Sequence, residues 1–166
     1  ALAEAMRPSS NFDQVQQWLN QTADGADIVR LQGEIPIPKL NDISPYMQRL
    51  KIENASLSAT ELSHIKKLLQ AVQTVNTFFT DFNAKADISL REVPKIVSRL
   101  VSLPEITDRM TASIEDDGTI LDTASTHLAG IRRSIMTTQA NIRSRMNKFI
   151  KGSESKYLSE PIITVR

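Results

Sequence analysis

Apolar residues recur at three- and four-residue steps along most of the chain, which is the spacing of amphipathic α-helices. Prolines and glycines interrupt this spacing between segments and favour extended connections there. The pattern therefore predicts an all-α fold, a multi-helical domain with a long C-terminal helix and minor β-hairpin or strand pieces. The predicted helices span residues 10–31, 45–53, 58–79, 90–101, 104–114 and 125–151.

Short polar residues mark the start of two predicted helices. Ser58 and Glu61 have the spacing of a capping box, and Ser10 with Asp13 forms an imperfect one because aspartate is shorter than the usual glutamate. The last helix is predicted to be the longest, at roughly 40 Å for a rise of 1.5 Å per residue. Its apolar stripe consists of Leu128, Ile131, Ile135, Thr138, Ile142, Met146 and Phe149.

Two stretches depart from the helical pattern. Asp117-Gly118, within "EDDGTILD", is a turn signal that can open a small β-hairpin. Residues 160–166, "EPIITVR", are rich in β-branched side chains and predict a strand with nothing after it to pair with. We expect this strand to be frayed, or to pair with "GTILD" or another molecule. Residues 1–166 are accordingly predicted to be one helical domain excised from a longer protein.

Composition excludes several classes of protein. The chain contains no cysteine, so disulfides and thiolate metal sites are excluded. No apolar run is long enough to cross a bilayer, and the first residues lack the apolar core of a signal peptide. A cytoplasmic protein without a membrane partner is the default expectation.

Charge is distributed unevenly although the formal net charge is only +1. Residues 1–126 contain 12 Lys and Arg against 17 Asp and Glu, whereas residues 127–166 contain 8 against 2. Such asymmetry indicates an anionic partner for the basic part.

The basic residues of the last helix are the candidate binding site. No acid occurs between Asp122 and Glu154, and cations there can line up against a phosphate backbone. Three alternatives stay open: pairing of arginines with acids of earlier helices, interaction of lysines with the helix dipole, and plain solvation. The candidate nucleic-acid-binding residues are Arg132, Arg133, Arg143, Arg145, Lys148 and Lys151.

No pattern of catalytic chemistry stands out. The acids at 115–117 could hold a cation but favour a solvated turn. His64 and His127 lack metal-ligand or catalytic spacing and are interpreted as surface residues. Lys151 and Gly152 stand in the wrong order for a phosphate-binding loop, and Gly152 suits the end of a helix instead. Trp18 is interpreted as partly buried packing, with a docking site as the alternative. We predict no catalytic, metal or cofactor residue here.

Five segments, in order, resemble the second bacterial branch of the MutS family, the paralogues that lack the mismatch-reading domain and usually carry a C-terminal Smr nuclease domain. Two departures are Gln139 and His127, which stand where the resemblance leads us to expect acids. The segments are "LAEAMRPSSNFDQVQQWLNQT", "EIPIPKLNDISPYMQRL", "LSATELSHIKKLL", "EDDGTILDTASTHLAGIRRSI" and "KYLSEPIITVR".

The resemblance implies that the chain is the N-terminal core, or lever, region that links an ATPase domain to a nucleic-acid clamp. It implies a homodimeric protein that uses ATP and Mg²⁺, binds branched DNA, suppresses homologous recombination and acts on collided ribosomes. The ATPase and nuclease motifs would lie outside these 166 residues. The alternative is a structural scaffold or dimerisation module with no nucleic-acid contact.

Overall fold

The computed structural model describes residues 7–152 and 156, and within them it confirms the all-α class. These residues form no β-sheet. Their helices are α1 (Phe12–Gln32), α2 (Ser44–Arg49), α3 (Ala59–Lys85), α4 (Val93–Val97), α5 (Pro104–Thr111) and α6 (Thr126–Lys151), with a 3₁₀ turn at Asp122–Ala124 before α6.

The chain divides into two compact units. Ala1–Thr119 contains α1 to α5, and Ile120–Arg166 contains the 3₁₀ turn and α6. The single domain expected over residues 1–166 stays a prediction. The strand expected at 160–166 lies outside the described residues.

The core of the first unit is built by the C-terminal half of α3. Val75, Phe79 and Phe82 of that helix pack with Ile28 of α1 and with Leu90. Phe82 is 1% exposed and Ile28 is fully buried. Removal of these apolar side chains from water supplies most of the stabilisation of this unit.

The predicted capping box starts α3. The hydroxyl of Ser58 accepts the backbone N–H of Glu61 at 3.3 Å, while the Glu61 carboxylate accepts the backbone N–H of Ser58 at 2.8 Å. Arg49, at the end of α2, also hydrogen-bonds that carboxylate. The hydrogen bond from Arg49 and those from Ser58 lower the pKa of Glu61 to about 2.

A buried carboxylate joins α1 to α4. Asp24 is 4% exposed, and its oxygens accept the backbone N–H groups of Arg91, Glu92 and Val93 at 2.7–3.1 Å. Burial raises the pKa of Asp24, but the hydrogen bonds from these three N–H groups outweigh it and leave the pKa lowered. Asp24 thereby caps α4, whose preceding residue Glu92 makes no side-chain cap.

The N-terminal half of α3 holds the turn at residues 114–119. Lys66 is 3% exposed. Its ammonium donates to the carbonyl of Ile114 at 2.8 Å and pairs with Asp116 at 2.6 Å. Gly118 has a φ of +88°, and a Cβ there would lie 2.9 Å from the Cα of Thr60. The predicted turn is present, and its glycine is required by both the backbone angle and this close approach.

Helix α1 differs from its prediction at its start and on its buried face. Its cap is Asn11, which accepts the N–H of Gln14 at 3.1 Å, rather than Ser10. The spacing of apolar residues predicts a stripe of Phe12, Val15, Leu19, Ala26 and Val29, but the buried residues are Asp24 and Ile28 and most of the stripe is exposed. The stripe faces away from the core because the hydrogen bonds of Asp24 to residues 91–93 fix the orientation of α1. Its exposed members are Phe12, Leu19, Ala26 and Val29.

The short helices end earlier than predicted. Helix α4 stops at Val97 and α5 at Thr111, since neither is long enough to propagate on its own. The sequence pattern predicts that Tyr46, Met47 and Leu50 face inward. Tyr46 is half-buried, but Met47 in α2 and Leu50 just after it are exposed at 38% and 48%. Only one face of a helix of six residues reaches a neighbour.

Candidate nucleic-acid interface

Helix α6 carries all six candidate binding residues on one continuous rod. The hydroxyl of Ser125 accepts the N–H of Leu128 at 3.5 Å and caps its start, and Gly152 follows its last residue as predicted. Its 26 residues correspond to about 39 Å at 1.5 Å per residue. The helix contains Gly130, and nothing lies within 4 Å of the position of a Cβ there.

The apolar stripe of α6 is exposed. None of its residues is buried, and Ile131, Ile135, Ile142 and Phe149 are exposed at 45%, 51%, 47% and 40%. Leu128 and Met146 are half-buried. An uncovered apolar row of this length indicates a contact surface, because scattered single apolar residues are ordinary but contiguous ones are not.

Arg132 differs from the other five cations because it has a carboxylate partner. Its guanidinium pairs with Asp122 at 2.5 Å and donates to the carbonyl of Ile120 at 2.9 Å. The partner belongs to the turn before α6 and not to the earlier acidic helices. Among the described residues, the remaining five form no ion pair and are all exposed: Arg133, Arg143, Arg145, Lys148 and Lys151.

The six cations lie on two sides of the helix. At about 100° per residue, Arg132, Arg143 and Arg145 lie within about 80° of Ile135 and border the apolar stripe. The other three cations lie at least about 140° from Ile135. We call Arg133, Lys148 and Lys151 the back-face cations. The structure thus separates a set of charges that borders the apolar stripe from a set on the opposite side of the helix.

The acids at 115–117 serve the turn in which they lie. Asp116 pairs with Lys66, and hydrogen bonding to this ammonium lowers the pKa of the carboxyl. Asp117 accepts the backbone N–H of Thr119 at 2.8 Å, which lowers its pKa. The turn interpretation is therefore confirmed. Within residues 7–152 and 156, no group of three or more His, Asp or Glu side chains could hold a metal ion.

The histidines and the tryptophan have separate environments. His64 is half-buried, and its Nδ1 lies 2.9 Å from the hydroxyl of Tyr46, so it links α3 to α2. His127 is exposed on α6. Trp18 retains 44% of its surface, so its indole is only partly covered. In the described part of the chain, no helix is long and apolar enough to span a bilayer.

Sequence reasoning missed two residues that shape these surfaces. Asp122 is the last acid before the basic stretch, and its pairing with Arg132 is seen only in the structure. Asp24 resembled any solvated acid of an amphipathic helix. Its role follows from its hydrogen bonds to residues 91–93, which are close in the fold but distant in the sequence.

The geometry defines the class of protein segment: an all-α segment with a long, basic, solvent-exposed helix. No protein-family model matches the chain. It is, however, 44% identical over 97% of its length to a protein named Endonuclease MutS2 from Latilactobacillus sakei. The identity is 44% over 99% of the chain for the protein of that name from Levilactobacillus brevis, and 42% over 99% for that from Ligilactobacillus salivarius.

These similarities confirm the predicted resemblance, and this stretch of sequence belongs to the MutS2 branch. The chain spans about a fifth of the length of the relatives that it matches, 20% to 21% in the three named.

Proposed function

We propose that these residues form the helical core, or lever, region of a MutS-like DNA-binding ATPase, and that α6 supplies part of its nucleic-acid-facing surface. The observation that carries the proposal is the unbroken 26-residue helix with five exposed cations and no internal acid. Each phosphate neutralised by such a cation releases counterions, which favours binding. The segment itself provides no catalytic residue in this proposal.

The activities of the whole protein extend the proposal beyond these residues. The relatives are named endonucleases, and the family resemblance adds an ATPase that uses ATP and Mg²⁺. In this reading a cytoplasmic homodimer binds branched DNA, suppresses homologous recombination and acts on collided ribosomes. The helices transmit the ATP state to the clamp, for which a continuous rod is mechanically suited.

A salt series with labelled branched DNA tests the contact with phosphate. Binding of the 166-residue chain, followed by fluorescence anisotropy, is expected to weaken as salt rises. The triple variant Arg133→Gln, Lys148→Gln, Lys151→Gln should bind more weakly. Its slope of log K against log salt should be shallower by about 3, since three phosphate contacts are removed.

A charge-matched control uses three exposed cations of the first unit. The substitutions Lys39→Gln, Lys51→Gln and Arg99→Gln remove the same charge from exposed positions. This variant should retain the wild-type slope. An equal loss in both variants would indicate a nonspecific effect of net charge, and no loss in the α6 variant would refute the proposal.

The second candidate function is a scaffold without nucleic-acid contact. The exposed apolar stripe of α6 favours it, because such a surface suits helix–helix packing. Absence of any salt-dependent DNA binding, together with a protein partner on the stripe, would decide for this alternative.

A further inference from the structure

Arg132 is the candidate binding residue whose charge is already balanced by an acid of the same unit. Its Nη1 donates to the carbonyl of Ile120 at 2.9 Å and to the carboxylate of Asp122 at 2.5 Å. Both acceptors belong to the second compact unit, in the segment just before α6, and the 3₁₀ turn of that segment lies against the helix. One side chain of α6 therefore holds the preceding segment at two points.

The pair of Arg132 and Asp122 is open to water. The two side chains keep 41% and 64% of their surface, and ion pairs that are exposed to this extent attract weakly. Both hydrogen bonds leave from Nη1, so the carboxylate does not meet the guanidinium in the stronger two-nitrogen geometry. A competing anion can therefore replace the carboxylate at little cost.

A phosphate of DNA is a strong competitor for this guanidinium. Its oxygens can accept from two nitrogens of an arginine at once. Its binding also releases counterions that are condensed on the nucleic acid, an entropy gain that an exposed carboxylate does not provide. The exchange of Asp122 for a phosphate is thus favoured wherever DNA lies against this part of α6.

Arg132 stands at the N-terminal end of a row of cations along α6. Arg143 lies about 20° from it around the helix and about 16 Å further along the axis. Lys151 lies about 12 Å beyond Arg143 and within about 100° of Arg132. Arg143 and Lys151 are exposed and form no ion pair among the described residues. Asp122 therefore weakens the positive charge at one end of a row about 28 Å long.

We propose that the contact of Asp122 with Arg132 is autoinhibitory, and that a phosphate of DNA takes the place of the carboxylate when α6 binds. This inference rests on the proposed function, since it concerns the nucleic acid that α6 contacts there. The exchange frees Arg132 for the row and removes both of its hydrogen bonds to the preceding segment. The turn at Asp122–Ala124 therefore loosens when DNA binds.

Salt-dependent binding of labelled branched DNA to the 166-residue chain gives the first test. Arg132→Gln should make the slope of log K against log salt shallower by about 1, because one phosphate contact is lost. Asp122→Asn should raise the affinity about twofold to fivefold, the range that corresponds to the loss of an exposed ion pair. Its slope should equal that of the wild type, because the same phosphates are bound in the complex.

A charge-matched control and a double variant show whether Asp122 acts through Arg132. Asp108→Asn removes the same charge from an exposed position of α5 and should leave the affinity unchanged. In the Arg132→Gln background, Asp122→Asn should give a smaller gain than in the wild type, because a double-mutant cycle isolates the coupling of the two residues. Circular dichroism verifies that each variant keeps its helical content.

Hydrogen exchange provides a readout that net charge alone does not change. Amides of residues 120–125 should exchange faster in the wild type with DNA than without it, although bound nucleic acid ordinarily shields the amides that it covers. Asp122→Asn should show the faster exchange already without DNA. Amides in the buried part of α3 serve as the internal reference.

Three results would overturn the proposal. The first is a wild-type slope in Arg132→Gln, which would leave Arg132 as a fixed support of the turn. The second is an affinity gain from Asp122→Asn that is absent, that Asp108→Asn reproduces, or that is equally large in the Arg132→Gln background. The third is unchanged or slower exchange of residues 120–125 on binding of DNA.

The back-face triple variant separates failure of this inference from failure of the proposed function. If that variant loses its expected share of the slope while Arg132→Gln keeps the wild-type slope, only the autoinhibitory role of Asp122 is refuted. If the wild-type chain shows no salt-dependent binding of DNA, both proposals are refuted.

Discussion

Helices α3 and α6 are nearly equal in length, at 27 and 26 residues, and both begin at a serine cap. They differ in what surrounds them. Six residues of α3 are buried and none of α6 is. The apolar period alone therefore predicted that each helix would form, but not whether its apolar face would be covered.

The buried positions of α3 show that the neighbouring elements determine which side chains are covered. The spacing of its apolar residues predicts a stripe that begins with Leu62 and Ile65, but these two residues are only half-buried. Ser63 and Lys66 are buried instead, at 1% and 3% exposure, because the turn at 114–119 packs on that side. In α6, by contrast, no side chain is buried and five of the six cations are exposed.

The largest expected effect comes from a core aromatic of α3. Phe82→Ala removes a side chain that is 1% exposed, and the cavity should lower the free energy of unfolding by about 3–5 kcal/mol. Ile135→Ala on α6 is the matched change, and its effect should stay below about 1 kcal/mol. Urea unfolding of both variants checks this. Comparable losses would show that the apolar stripe of α6 is covered in solution.

A pair of glycines gives the next effect. Gly118→Ala forces a side chain into positive φ and within 2.9 Å of the Thr60 backbone, so we expect a loss of about 2 kcal/mol. Gly130→Ala on α6 meets nothing within 4 Å and should stabilise the helix by up to about 1 kcal/mol. Thermal unfolding, monitored by circular dichroism, distinguishes the expected loss of stability in Gly118→Ala from the expected gain in Gly130→Ala. A destabilising Gly130→Ala would contradict the open surroundings of α6.

The third comparison is between two carboxylates of α1, and it includes the smallest expected effect. Asp24→Asn should cost about 2 kcal/mol near neutral pH, because charged hydrogen bonds to three buried N–H groups are weakened. Asp27→Asn removes an exposed pair with Arg30 and should cost less than about 0.5 kcal/mol.

The contribution of Asp24 should also depend on pH. Its pKa is lowered on folding, so the stabilisation is present above the unfolded value of about 4 and disappears as the pH falls through the folded value. The difference between wild type and Asp24→Asn, measured by urea unfolding, should shrink below about pH 4. A difference that grows on acidification would contradict the role of the ionised carboxylate.

The sequence by itself determined the helical class, the capping box of α3, the turn at Asp117-Gly118 and the continuity of α6. These features depend on residues within a few positions of one another, so local propensity and hydrogen bonding are sufficient. The MutS-branch resemblance was likewise visible in the order of its segments.

Only the tertiary structure decided which faces are covered and which charges are free. The local pattern did not show the burial of Asp24 and Lys66, the orientation of α1, the pairing of Arg132 with Asp122 or the exposure of the apolar stripe of α6. The burial of Asp24, the burial of Lys66 and the orientation of α1 depend on groups many positions apart in the chain. The free energy of a contact is set by the partner that the fold brings close, and a one-dimensional pattern contains no information about that partner.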